Sequence, residues 1–137
     1  MTSHTVTGSC LCGTVKYQVV NPAERVLHCH CWMCRKQHGA AFATWAFYPE
    51  ERFHLLAGAE ALQTYISSET VGRTFCRECG GSLFFASPEF PKRPAAVWIA
   101  AGTLDGDPGR VSDGHIFVSS KADWYTITDS LPQFAAE

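Results

Sequence analysis

Gly8-Ser9-Cys10-Leu11-Cys12-Gly13 and Phe75-Cys76-Arg77-Glu78-Cys79-Gly80-Gly81 are two cysteine doublets far apart in the chain, and their spacing decides the fold. In Cys76-x-x-Cys79 a tight turn points both sulfurs at one ion, and Gly80 supplies the positive φ such a turn needs. In Cys10-x-Cys12, residues two apart on extended backbone share a face. The remaining cysteines form one compact triplet, Cys29-His30-Cys31-Trp32-Met33-Cys34, which completes a total of 7. Pairing the doublets leaves the triplet whole, whereas any foursome built on the triplet splits a doublet. Cys10, Cys12, Cys76 and Cys79 therefore read as one closed tetrahedral zinc site that ties the N-terminal hairpin to a distant segment. Cys29, Cys31 and Cys34 read as a second zinc site with one position left over.

The bulk composition frames this reading. A chain of 137 residues, 46% hydrophobic and 18% charged, is expected to form one domain spanning 1–137 with a core of its own. A net charge of -2 gives no electrostatic reason to bind nucleic acid or an anionic membrane. No apolar run is long enough to span a bilayer, and Met1-Thr2-Ser3-His4-Thr5-Val6 lacks the apolar stretch of a signal peptide. The expected setting is the cytoplasm. The odd cysteine count and the clustering favour metal binding over disulfides there.

Around the cysteines the pattern is mainly β. Thr14 to Val19 alternates, with Val15, Tyr17 and Val19 on one face, and Asn21-Pro22 ends it. Ala41 to Tyr48 suits a buried strand. Further short strands are predicted at Phe53–Leu56, Leu62–Ile66, Val97–Ala100 and His115–Val118, while Thr70 to Phe75 leads into the last cysteine motif and Ser82–Phe85 follows Gly80-Gly81. Pro88, Pro91 and Pro94 mark a loop, and Asp105, Asp107 and Asp113 fit turn chemistry. Helix is confined to Cys31–His38, stopped by Gly39, and one turn at Ala122–Tyr125.

Three thiolates on zinc leave the unit at a net charge of -1, a poor activator of water. A soft, sulfur-rich site suits another thiol, held as a thiolate nucleophile. The fourth position is open to water or substrate, or to a histidine among His28, His30, His38 and His115.

Taken with Ala43-Thr44-Trp45 and His115-Ile116-Phe117-Val118-Ser119-Ser120-Lys121-Ala122-Asp123-Trp124, the three cysteine motifs resemble those of the glutathione-dependent formaldehyde-activating enzyme family. That family also includes the centromere protein V group. The resemblance runs through nearly the whole chain in order. It implies a β-tent of small antiparallel sheets stapled by zinc. It also implies a structural zinc on Cys10, Cys12, Cys76 and Cys79, and a reactive zinc on Cys29, Cys31 and Cys34 near a glutathione site. The implied reaction joins glutathione and formaldehyde into S-hydroxymethylglutathione, carbon–sulfur lyase chemistry run in reverse.

Arg35 and Lys36 follow the triplet and are candidates to hold a glutathione carboxylate. Arg73 and Arg77 are expected to offset the charge of the four-thiolate site, and His115 is a candidate acid. Trp32 and Met33 are placed at an opening beside the metal, and Trp45, Trp98 and Trp124 in the core or a pocket wall. The competing reading is a non-catalytic zinc module that binds a protein partner or carries glutathione.

Overall fold

The computed structural model describes residues 4–91 and 96–137; Met1 to Ser3 and Pro94, used above, lie outside the described residues. The chain is mainly β, as expected. In order it forms β1 (His4–Ser9), β2 (Lys16–Asn21), β3 (Arg25–Cys29), α1 (Trp32–His38), β4 (Ala43–Pro49), β5 (Phe53–Ala57), β6 (Leu62–Ser68), β7 (Val71–Cys76), β8 (Ser82–Ala86), β9 (Ala96–Ala100) and β10 (Gly114–Ile116).

The sheets are unequal. A three-stranded sheet has the order β1-β2-β5, and a seven-stranded one runs β10-β3-β4-β9-β8-β7-β6. Every pairing between these strands is antiparallel except that of β10 with β3, so the larger sheet is mixed rather than small and antiparallel.

Alternation builds the main core. Val15, Tyr17 and Val19 are fully buried, as their period-two spacing requires. They pack with Phe53, Phe84 and Phe90, and Tyr17 meets Phe84 edge-on at 5.4 Å between centroids. Cys10 and Cys76 belong to this cluster, so one cysteine site is part of the core. A second cluster contains Leu27, Cys29, Cys34, Trp45 and Ile116, and so includes the other site.

Several elements differ from the sequence reading. β1 and β3 were not expected: β1 is largely exposed and polar, and β3 ends in the triplet, whose motif hides its alternation. The strand at His115–Val118 stops at Ile116 because Phe117 turns left-handed, with φ 57 and ψ 39. At Ala122–Tyr125 one hydrogen bond, Tyr125 N–H to the Ala122 carbonyl at 3.2 Å, closes a turn without helix. Asp107 does the expected turn work, accepting the Gly109 N–H at 2.7 Å, whereas Asp113 accepts the Val26 N–H at 2.8 Å and Asp105 the Thr7 hydroxyl at 2.7 Å, both from distant strands. No helix among the described residues is long and apolar enough to cross a membrane.

Candidate functional site

Cys10 and Cys12 stand in the turn after β1, while Cys76 ends β7 and Cys79 follows in the turn before β8. Folding brings the four sulfurs within 4.8 Å of one another. Cys10 and Cys12 are 3.7 Å apart, and Cys12 and Cys76 are 3.9 Å apart. Sulfurs at about 2.3 Å from a tetrahedral zinc would be separated by roughly 3.8 Å, so the set fits that ion. The turns close on themselves: Gly80 N–H donates to the Cys76 carbonyl at 2.6 Å and Gly13 N–H to that of Cys10 at 3.1 Å. Gly80 has the positive φ, 78°, that its position in the motif called for. Cys10 Sγ accepts the Val15 N–H at 3.3 Å. Backbone N–H groups of Cys12 and Gly81 push the Cys79 thiol down to about 6, which favours the metal-binding thiolate.

The triplet is assembled differently. Cys29 ends β3, Cys31 is the N-cap of α1, and Cys34 is a buried residue of that helix. Cys34 N–H donates to Cys31 Sγ at 3.3 Å, so the cap points a sulfur into the site. Gly39, at φ 59, ends the helix through its N–H to the Arg35 carbonyl. The three sulfurs lie within 4.8 Å of one another, and no His, Cys, Asp or Glu ligand atom among the described residues joins them. Two donors converge on Cys34 Sγ: Trp45 Nε1–H at 3.5 Å and Arg73 Nη1 at 3.5 Å. Hydrogen bonds from Cys29 and then Cys34 push the Cys31 thiol far down, while the Cys29 thiol is pushed up, chiefly by Cys31.

Arg73 is the residue that sequence reasoning misplaced. It does not serve the four-cysteine site. Cys76 and Arg73 are three apart on β7, hence on opposite faces, a signal present in the sequence. Arg73 is 4% exposed; its Nη1 also donates to Gln37 at 2.9 Å, its Nε donates to Ser67 at 3.1 Å, and its guanidinium lies over Phe85. Its charge therefore offsets the thiolates of the triplet. Arg77 stays near the other site, largely exposed and 3.7 Å from Glu78.

The histidines that could have closed the triplet are engaged elsewhere. His30 Nε2 is 2.8 Å from His115 Nδ1, and His115 Nε2 is 3.1 Å from Asp129. His28 Nδ1 meets Thr44 at 2.8 Å, and the His38 ring stands edge-on to Trp45. Burial, and then His115, lower His30 to about 4 and also lower His28. The unfolded chain binds these protons more readily, so their stabilising contribution is complete above about pH 6.5 and is lost as pH falls toward 4. In zinc-loaded protein with excess zinc, melting temperature should fall over that window, and His30→Gln should show a shallower slope. Equal slopes would contradict the assignment.

Arg35 and Lys36 lie away from the triplet cavity. Arg35 Nη1 donates to the Ser120 carbonyl at 2.9 Å and Lys36 is exposed. Both border a small hollow of about 260 Å³ beside Trp124, which is 71% exposed rather than part of a core. Trp32 and Met33 do border the opening at the triplet. There a cavity of about 600 Å³ reaches Cys29, Cys31 and Cys34, with Trp45 and Trp98 in its wall.

Residues 5–120 match the model of the glutathione-dependent formaldehyde-activating enzyme family. A Halomonas elongata protein, provisionally named as such an enzyme, is 30% identical over 131 residues, covering 88% of this chain and 79% of its own. An uncharacterized lyase of Schizosaccharomyces pombe is 25% identical over 130 residues, covering 95% and 90%. A crystal structure of a Rhodobacter sphaeroides protein superposes with a TM-score of 0.57 at 26% identity, over 73% of this chain and 88% of that one.

Proposed function

This chain belongs to the glutathione-dependent formaldehyde-activating enzyme family, and from that premise we propose that it is a cytoplasmic, zinc-dependent enzyme of the carbon–sulfur lyase type. Cys10, Cys12, Cys76 and Cys79 would hold a structural zinc, and Cys29, Cys31 and Cys34 a reactive one. The observation that carries the reading is the triplet itself: three sulfurs together, no fourth side-chain ligand among the described residues, and a cavity at their side. A second site closed by His38 or His115 would have favoured the non-catalytic module, and among the described residues neither joins the triplet.

Zinc bound at the triplet would supply the charge that keeps an incoming thiol ionised and holds its sulfur in place. The protein's own residues prepare that position. Trp45 and Arg73 donate to Cys34 and favour a thiolate there against its burial, and the Cys34 N–H favours one at Cys31. Trp32 and Met33 border the opening by which the thiol enters. Addition forms a C–S bond, opens the C=O π bond and delivers a proton to oxygen. His115 has both ring nitrogens engaged, so solvent at the mouth supplies that proton. Arg25 at the rim, or Arg35 and Lys36 on the outer side of α1, would take a glutathione carboxylate.

The test is S-hydroxymethylglutathione formation by zinc-loaded protein, with the uncatalysed rate subtracted. A rate above background is expected. Arg73→Met should lower kcat/KM about tenfold, in line with losing one hydrogen bond to a charged group, while keeping both zinc ions. No acceleration with any aldehyde or thiol would end the lyase reading.

A further inference from the structure

We propose that the cavity at the triplet selects a carbon partner larger than formaldehyde: an aldehyde whose carbonyl carries an apolar group about the size of one aromatic ring. The inference rests on reading the triplet as the centre that holds the thiol.

Two independent observations lead to it. The first is the cavity's volume and chemistry. At about 600 Å³ it is a small-ligand site, walled by Leu27, Trp45, Phe85, Trp98, Ile116 and Phe117 from five different strands and the turn after β10. Leu27, Trp45 and Ile116 are buried, and the Trp45 and Phe85 rings pack at 5.4 Å. A one-carbon aldehyde meets almost none of this wall. A glutathione carboxylate finds little there either: Arg73 is committed to Cys34, Gln37 and Ser67, which leaves Arg25 at the exposed rim. The walls match an apolar group, and the carbon partner is the one whose substituent must lie next to the reacting sulfur.

The second observation is backbone strain at one wall residue. Among the described residues, Phe117 is the only non-glycine with positive φ. A bulky side chain is costly there, and glycine would serve the turn better. The conformation is held by Val118 N–H to the Phe134 carbonyl at 3.0 Å and by Ser120 Oγ–H to the Phe117 carbonyl at 3.0 Å. Strain of this kind concentrates where a side chain must be presented to a ligand, and Phe117 both borders the cavity and packs against the cluster that holds Cys29 and Cys34.

The step is RSH plus R′CHO giving RS–CH(OH)R′, so no other reactant is consumed. Zinc-loaded protein with glutathione should show kcat/KM rising tenfold or more from acetaldehyde to phenylacetaldehyde, background subtracted. As a readout apart from turnover, 2-phenylethanol should move the indole N–H signals of Trp45 and Trp98 saturably in an NMR titration. Phe117→Gly should keep both zinc ions and a melting temperature within a few degrees of wild type, yet lose the rise along the aldehyde series. If it does not fold, Trp98→Leu serves the same comparison. Catalysis confined to formaldehyde, with the indole signals unmoved, would overturn the inference and leave the lyase reading standing. Indole shifts with no aldehyde accelerated would overturn both the lyase reading and the assignment of the apolar group to an aldehyde.

Discussion

Cys76→Ser is expected to lose one of two zinc ions and most of the folding stability. Cys76 is fully buried, sits in the main core cluster, and ends β7 where the turn to β8 begins. Its site joins the β1–β2 turn to the β7–β8 turn, from different sheets. Metal bound only by the folded chain contributes its binding free energy to folding, and about 10–16 kcal/mol is typical of structural zinc. The net stability of a domain is only about 5–15 kcal/mol. Even if most of the site's contribution is recovered by repacking, a residual loss of about 3 kcal/mol lowers the melting temperature by roughly 10 °C. Zinc content and a thermal melt on one sample check this. An unchanged melt with one zinc missing would remove the structural role from the four-cysteine site.

Cys31→Ser should have the opposite profile: one zinc gone, the fold intact, and thiol addition reduced to the uncatalysed rate. Cys31 is the N-cap of α1, and its side chain accepts the Cys34 N–H. Serine is among the best N-cap residues, so the substitution keeps that hydrogen bond and starts the helix as before. Cys29 and Cys34 are buried in the second cluster with Leu27, Trp45 and Ile116, apolar packing that the substitution at Cys31 leaves in place. The melting temperature should fall far less than in Cys76→Ser. Matched unfolding of the two variants would make the triplet a second structural site.

The cysteine partition was legible because cysteine spacing is local: a doublet in a tight turn or on a strand limits where two sulfurs can go. Most strands were legible for the same reason, as with Val15, Tyr17 and Val19, where a period of two marks the buried face. What escaped reading depends on distant partners. The reach of Arg73 across to Cys34 depends on how β7 faces α1, and the coupling of His30 to His115 on the parallel pairing of β3 with β10. Phe117 looks like one more residue of an apolar strand until its left-handed φ is seen. Arg35 had the right position in sequence, but its guanidinium is bound to the carbonyl of Ser120, 85 residues on.

The central claim is that the triplet keeps a ligand position for a thiol while the four-cysteine site does not. Cadmium prefers the same soft sulfur ligands, and the cadmium-113 spectrum of the cadmium-loaded protein reports each site separately. Two resonances are expected, one from the closed four-sulfur site and one from the triplet. Added glutathione should shift the triplet resonance toward the four-sulfur position and leave the other in place. Two resonances that both ignore glutathione would mean that the triplet is already closed, and would contradict the claim.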